Sequence, residues 1–243
     1  MFIFDEKLRT FEMFSLSHLL VVLFVISIIV LIITFREKLK KHSLFDIFFR
    51  YGIAITMLFM EFVFILWTLV RGEASLDLLP FGLCVISMYL TSITLLTNNE
   101  KLFRVVFPWA VTGAVLSLIV ANMNYEFPHF RFFHYFFNHA FFLIAQVYFV
   151  FVKGFKMKYK HLLISAGILI GIAFILYYIN KALGTNYMFL AQLPTEVEGM
   201  FSWLGNLWVW GFGVAIFILF NFWYLLFFKL PEAKLFEAKR AYE

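Results

Sequence analysis

The feature that most limits what this chain can fold into is the recurrence of apolar runs long enough to cross a bilayer. The first, "LSHLLVVLFVISIIVLIITF", fills residues 16–35 without one charged side chain. A hydrocarbon core of roughly 30 Å needs about 20 such residues in a helix. Lipid offers no partner to an exposed backbone N–H or C=O, so only helices or closed barrels span it. Runs of this length read as helices. Seven spans are expected, at residues 16–35, 47–70, 79–97, 105–121, 132–152, 162–182 and 204–228. The first is too long, and too poorly flanked by small residues, for a cleaved signal peptide, so it reads as an anchor. Only 14% of the 243 residues are charged and 63% are hydrophobic, against about a quarter and about half in soluble domains. The expected fold class is all-α: a polytopic membrane bundle of seven transmembrane helices, one domain over residues 1–243.

Orientation follows from lysine and arginine. Arg36, Lys38, Lys40, Lys41, Arg50, Lys101, Arg104, Lys153, Lys156, Lys158, Lys160, Lys229, Lys234, Lys239 and Arg240 fall in the first, third and fifth connections and the tail. The other side carries Lys7, Arg9, Arg71, Arg131 and Lys181. Basic residues stay with the cytoplasmic face, which places the amino terminus outside and the carboxyl terminus in the cytoplasm. Residues 231–243, "PEAKLFEAKRAYE", read as a short tail helix on the inner leaflet. The formal charge of +5 sits in short loops between apolar runs, so it marks topology and no nucleic acid partner is expected. One cysteine excludes an internal disulfide and any Cys-x-x-Cys metal motif.

This topology gives depth to the unusual residues. His18 lies near the outer end of the first span. Glu61 lies roughly 15 Å inside the outer end of the second, at 1.5 Å per residue. Cys84 falls one turn past Pro80. Arg131, His134, Asn138 and His139 occupy the outer half of the fifth span, and Asn180 with Asn186 and Tyr187 ends the sixth. Polar groups at such depth are costly unless paired or hydrated, so each is a functional candidate. The inner half shows no comparable set. Arg131, His134 and Asn138 are spaced by three and four and share one helix face. His139 shares a second stripe with Gln146. Glu61 reads either as an ion-pair partner of Arg131 or Arg71, or as part of an outward-facing polar pocket. The connection "GTNYMFLAQLPTEVEGMFSW" (residues 184–203) is too apolar for a solvated loop and reads as a lid with Met188, Phe189 and Leu190 turned inward.

Two chemistries suit such a cluster. A thiolate at Cys84, favoured by a nearby histidine, would carry an acyl group as a thioester. Zinc would need His18, His134, His139 and Glu61, but His134 and His139 are five apart, and two histidines on one helix share a metal at a spacing of four. No metal and no cofactor is expected.

The motifs "LPFGLC" (79–84), "FRFFHYFFNH" (130–139) and "LGTNYMFL" (183–190) resemble the YwaF-like bacterial seven-span membrane proteins. That family is in turn similar to the eukaryotic transmembrane protein 164 group of lipid acyltransferases, which use a membrane cysteine and a histidine. The resemblance implies a multi-pass protein of the bacterial plasma membrane. It implies Cys84 as nucleophile and His139, then His134, as base. Gly82 departs from the histidine that many relatives carry two residues before the cysteine. The expected function is acyl transfer or hydrolysis on a membrane lipid. Glu61, Arg131, Asn138, Asn180, Asn186, Tyr187 and His18 would bind substrate. The rival readings are a non-catalytic lipid or small-molecule binder or transporter using the same pocket, and a structural partner of another membrane protein.

Overall fold

A computed structural model describes residue 4, residues 10–73 and residues 75–232. The described residues hold helices and loops and no strand. In chain order the helices are α1 (Leu16–Leu39), α2 (Ser43–Val70), α3 (Leu83–Thr97), α4 (Glu100–Ile119), α5 (Phe130–Phe151), α6 (Tyr159–Leu183), α7 (Thr195–Phe201) and α8 (Trp208–Tyr224). Short helical turns at Leu76–Leu78, Tyr187–Phe189, Ser202–Leu207 and Leu225–Lys229 fill the connections. Every expected apolar run is helical over most of its length. Among the described residues, five stretches are long and apolar enough to cross a membrane: Leu16–Leu39, Ser43–Val70, Glu100–Ile119, Tyr159–Leu183 and Val197–Glu232. α3 is apolar but only 15 residues long. α5 has the length, at 22 residues, but its Arg, His, Asn and Gln side chains lower its hydropathy. The inner-leaflet tail helix falls almost wholly outside the described residues.

Local chemistry sets the helix ends. Asn98 ends α3 in the left-handed conformation (φ 53°), and the Asn99 side-chain Oδ1 then caps α4 by accepting from the Lys101 and Leu102 N–H groups. This tight turn makes α3 and α4 antiparallel neighbours. His129 caps α5 the same way, its Nδ1 accepting from Arg131 N at 3.1 Å. Pro108 lies inside α4 and cannot donate to the carbonyl four residues back. One residue along, the Ser165 hydroxyl of α6 donates to the Val105 carbonyl at 2.6 Å, so this stretch of α4 backbone finds a donor on its neighbour.

α5 is the axis of the bundle. It packs on α1, α2, α3 and α4, while α4 carries α6 and α8 on its far side. Phenylalanines do much of the filling. Phe103, Phe107 and Phe149 are fully buried, and Phe149 stacks on Phe155 at 5.1 Å between ring centres. The outer faces of α1, α2, α6 and α8 expose Leu20, Phe24, Phe59, Ile170, Phe174 and Trp210. A soluble protein could not leave such belts in water. They are the surface of an integral, multi-pass membrane protein.

The connection after α6 differs from the lid expected. Thr185 and Tyr187 turn inward and are buried, whereas Phe189 is 42% exposed. The reason is the turn itself. Gly184 ends α6 at φ 68°, and Met188 and Phe189 follow with φ of 55° and 56°. Two left-handed residues in succession redirect the chain so that Tyr187 faces the bundle.

Candidate functional site

On α5 the three-four spacing lines up Arg131, His134 and Asn138, and α2 presents Glu61 to that face. The His134 Nε2–H donates to Glu61 Oε2 at 2.9 Å, while Arg131 donates to His134 Nδ1 at 2.8 Å. A guanidinium has only donors, so this bond fixes His134 as the neutral Nε2–H tautomer. The ring stacks on Phe64 at 4.6 Å, and the same Phe64 carries the Arg131 guanidinium 4.1 Å from its centre. Arg131, His134 and Glu61 therefore form one relay walled by aromatics. Glu61 meets Arg131 through the imidazole, and Arg71 pairs with Glu73 instead, at 2.6 Å.

The second polar stripe of α5 faces α3 and α4. His139 Nδ1–H donates to the Tyr135 carbonyl at 2.7 Å. That leaves Nε2 with its lone pair, and it has no hydrogen-bond partner among the described residues. The Tyr135 ring lies tilted beside His139 at 4.5 Å, and its hydroxyl donates to the Ser117 carbonyl of α4 at 3.2 Å. Ser117 in turn touches the cysteine, with 3.9 Å between its Oγ and Cys84 Sγ. Cys84 thus looks onto α4, over Gly113, where a Cβ would sit 3.3 Å from Sγ. Among the described residues no histidine is in hydrogen-bond contact with Cys84. The path from thiol to imidazole runs through Ser117 and Tyr135.

The remaining candidates are placed elsewhere. His18 is buried between α1 and α4, its Nε2–H donating to the Leu118 carbonyl at 2.8 Å and its Nδ1 accepting from Phe14 N at 3.0 Å. Both nitrogens are engaged. Asn180 holds the turn after α6: Oδ1 accepts from Thr185 Oγ1 and Tyr187 N, and Nδ2 donates to the Tyr187 carbonyl. Asn186 does the same for the next turn, accepting from Ala191 N and Gln192 N. Tyr187 reaches back to the Leu76 carbonyl, and its ring meets Phe81 edge-on at 5.3 Å. So "LGTNYMFL" packs against "LPFGLC", and "FRFFHYFFNH" reaches the same cysteine through Tyr135. Asn138 is buried one turn below His134, its Oδ1 without a partner among the described residues.

Two clefts run along α1, of about 300 Å³ and about 450 Å³. Leu20, Val25, Phe137 and Ile144 line the first, and Ile28, Phe35, Phe45 and Phe49 the second. Both are apolar, and neither contains Glu61, Cys84 or His139.

Residues 13–227 match the model of the TMEM164 family. The chain belongs to the TMEM164 family. The match runs from just before α1 to the turn after α8, so the whole helical bundle lies within it. Neither a curated protein nor a solved structure matches the chain.

Sequence reasoning missed a second polar cluster, at the opposite end of α2. Asp46 takes Arg50 Nε at 3.1 Å, Lys153 Nζ at 3.0 Å and the Tyr148 hydroxyl at 2.8 Å, and Arg50 also donates to the Leu95 carbonyl. The expectation that this half of the bundle holds no comparable set is therefore corrected. Asp46 and Arg50 are spaced by four, a signal that was present but hidden among flanking charges. Ser117 and Tyr135, which join cysteine to histidine, carried no signal in the sequence.

Proposed function

We propose that this TMEM164-family protein is a seven-span lipid-acyl enzyme of a YwaF-like bacterial branch. It lies in the plasma membrane with its amino terminus outside, and it forms one membrane domain. Cys84 is the nucleophile and His139 the base. The observation that carries this reading is the state of His139. Its Nδ1–H is committed to a backbone carbonyl, and its Nε2 lone pair is unspent beside the Tyr135–Ser117 link to the thiol. A base must be in that tautomer, with its orientation fixed by its other nitrogen.

In the reaction Sγ attacks the carbonyl carbon of a lipid ester, and the thiol proton passes to His139 Nε2. The tetrahedral adduct expels the lyso-lipid oxygen, which takes that proton. A thioester remains on Cys84 until a second hydroxyl or water reverses the steps. Glu61 on α2, with His134 and Arg131 one to two turns before His139 on α5, sets the charge at the donor's headgroup, with Arg131 on an anionic phosphate. Asn138 lies between that relay and His139. His18, Asn180, Asn186 and Tyr187 support the walls.

Full-length protein in lipid nanodiscs with a radiolabelled phospholipid should accumulate a hydroxylamine-labile acyl group on Cys84, lost in Cys84→Ala and strongly reduced in His139→Ala. Undiminished lipid turnover in Cys84→Ala would end this reading. A binder or transporter would instead retain ligand in Cys84→Ser and lose it on substitution of Arg131.

A further inference from the structure

The larger of the two clefts along α1, of about 450 Å³, has a braced wall and a basic end. One wall is α1 itself, where Ile28, Ile32, Phe35 and Leu39 recur at spacings of three and four and so share a helix face. Phe45 and Phe49, one turn apart on α2, make the other. α1 packs on α5 and only sparsely on α2, so the two walls stand apart. The turn at residues 40–42 joins them at one end.

The α2 wall is fixed from behind. Phe49 stacks on Tyr148 of α5 at 4.0 Å between ring centres. The Tyr148 hydroxyl donates to Asp46 at 2.8 Å, and Asp46 also takes Arg50 and Lys153. That polar cluster holds the first turns of α2 against α5, and a Phe49 ring held in this way does not swing across to close the groove.

Charge collects where the walls join. The Lys38 ammonium lies 5.5 Å from the centre of the Phe35 ring, on the cleft wall, and Lys41 sits on the joining turn. Both are exposed. Glu37 is already shared by Arg36 and Lys40, and Asp46 by Arg50 and Lys153. Among the described residues Lys38 and Lys41 are in no ion pair. From Ile28 to Leu39 is about 16 Å at 1.5 Å per residue, close to the half of a roughly 30 Å hydrocarbon core that one leaflet fills.

We infer that this cleft binds one anionic phospholipid of the leaflet at the α1–α2 turn, its acyl chain along α1 and its phosphate on Lys38 and Lys41. Any phospholipid chain suits the apolar walls. The two uncommitted ammonium groups select a headgroup of net negative charge. The cleft contains none of the acyl-site residues, so the inference does not rest on the role proposed for Cys84. Under the proposed topology the bound lipid belongs to the cytoplasmic leaflet.

The full chain in detergent is titrated with phosphatidylglycerol and, separately, with phosphatidylcholine of the same acyl chains. Native mass spectrometry counts the bound lipid. The first phosphatidylglycerol should bind about tenfold or more tighter than phosphatidylcholine. Leu31, 49% exposed on the cleft wall, can become a larger ring without meeting the core, so Leu31→Trp should weaken that first site for both lipids. Lys38→Gln with Lys41→Gln should bring the two lipids within about threefold of each other. Lys158→Gln with Lys160→Gln removes the same charge at the start of α6, away from the cleft, and should leave the preference intact. Equal affinity for the two lipids in the unsubstituted chain overturns the inference, as does a first site unchanged in Leu31→Trp. Equal losses from the two lysine pairs also overturn it, because the preference is then a property of the whole basic face. A dimer that Leu31→Trp dissolves, with no lipid retained, gives the groove to a second copy and overturns it too.

Discussion

Gly113 and Glu61 show how single atoms set this site. A Cβ at Gly113 would lie 3.3 Å from Cys84 Sγ, closer than ordinary contact, so the thiol must turn aside in Gly113→Ala. The expected result is Cys84 alkylation slowed about threefold or more, with thermal stability lowered by about 1 kcal/mol from overpacking. Mass spectrometry of alkylated protein reads the first, and melting in detergent the second. Glu61 is the acceptor at the end of the Arg131–His134 relay. Glu61→Ala strands a buried donor and should cost about 3 kcal/mol. Glu61→Gln keeps an acceptor oxygen for the His134 Nε2–H and should cost about 1 kcal/mol. Equal melting temperatures for the two variants would contradict the relay. Half of this arrangement was legible in the sequence, since a spacing of three and four puts Arg131, His134 and Asn138 on one face whatever surrounds them. The partner was not. Glu61 had two arginines within reach by depth, and only packing decides that an imidazole comes between.

The turn after α6 works as an element, because three short segments meet through two side chains. Asn180 makes three hydrogen bonds to Thr185 and Tyr187, and Tyr187 ties the turn to the segment before α3. Asn180→Ala should therefore cost about 2 kcal/mol and open residues 184–193 to limited proteolysis. Gly184→Ala, strained at φ 68°, should cost about 1 kcal/mol without exposing that segment. Helices were readable from apolar runs because lipid demands them. The inward turn of Tyr187 was not, since nothing in the letters "NYMF" announces two left-handed residues. The Asp46 cluster was missed for a different reason. Lysine and arginine at that end mark topology by their number, and only packing decides which of them also meets a carboxylate. Lys153 does both: it flanks a span and pairs with Asp46 at 3.0 Å.

For the whole molecule, the distribution of charge makes a claim about which end faces the cytoplasm, and the single cysteine makes it testable. Lys40 and Lys158 are exposed at one end of the bundle, and Ser75 and Lys181 at the other. With Cys84 replaced by alanine, one new cysteine at each of these positions reports its side through a membrane-impermeant maleimide on intact cells. Ser75→Cys and Lys181→Cys should label at once, and Lys40→Cys and Lys158→Cys only after the membrane is opened. Labelling of all four from one side would break the pairing of ends that a bundle of long helices requires. The reverse pattern would keep the bundle but put the α3–α4 seam, with Cys84 near the start of α3, toward the cytoplasm. Under the proposed acyl transfer, the donor would then come from the inner leaflet, because an ester can reach a thiol only from the leaflet at whose depth that thiol lies.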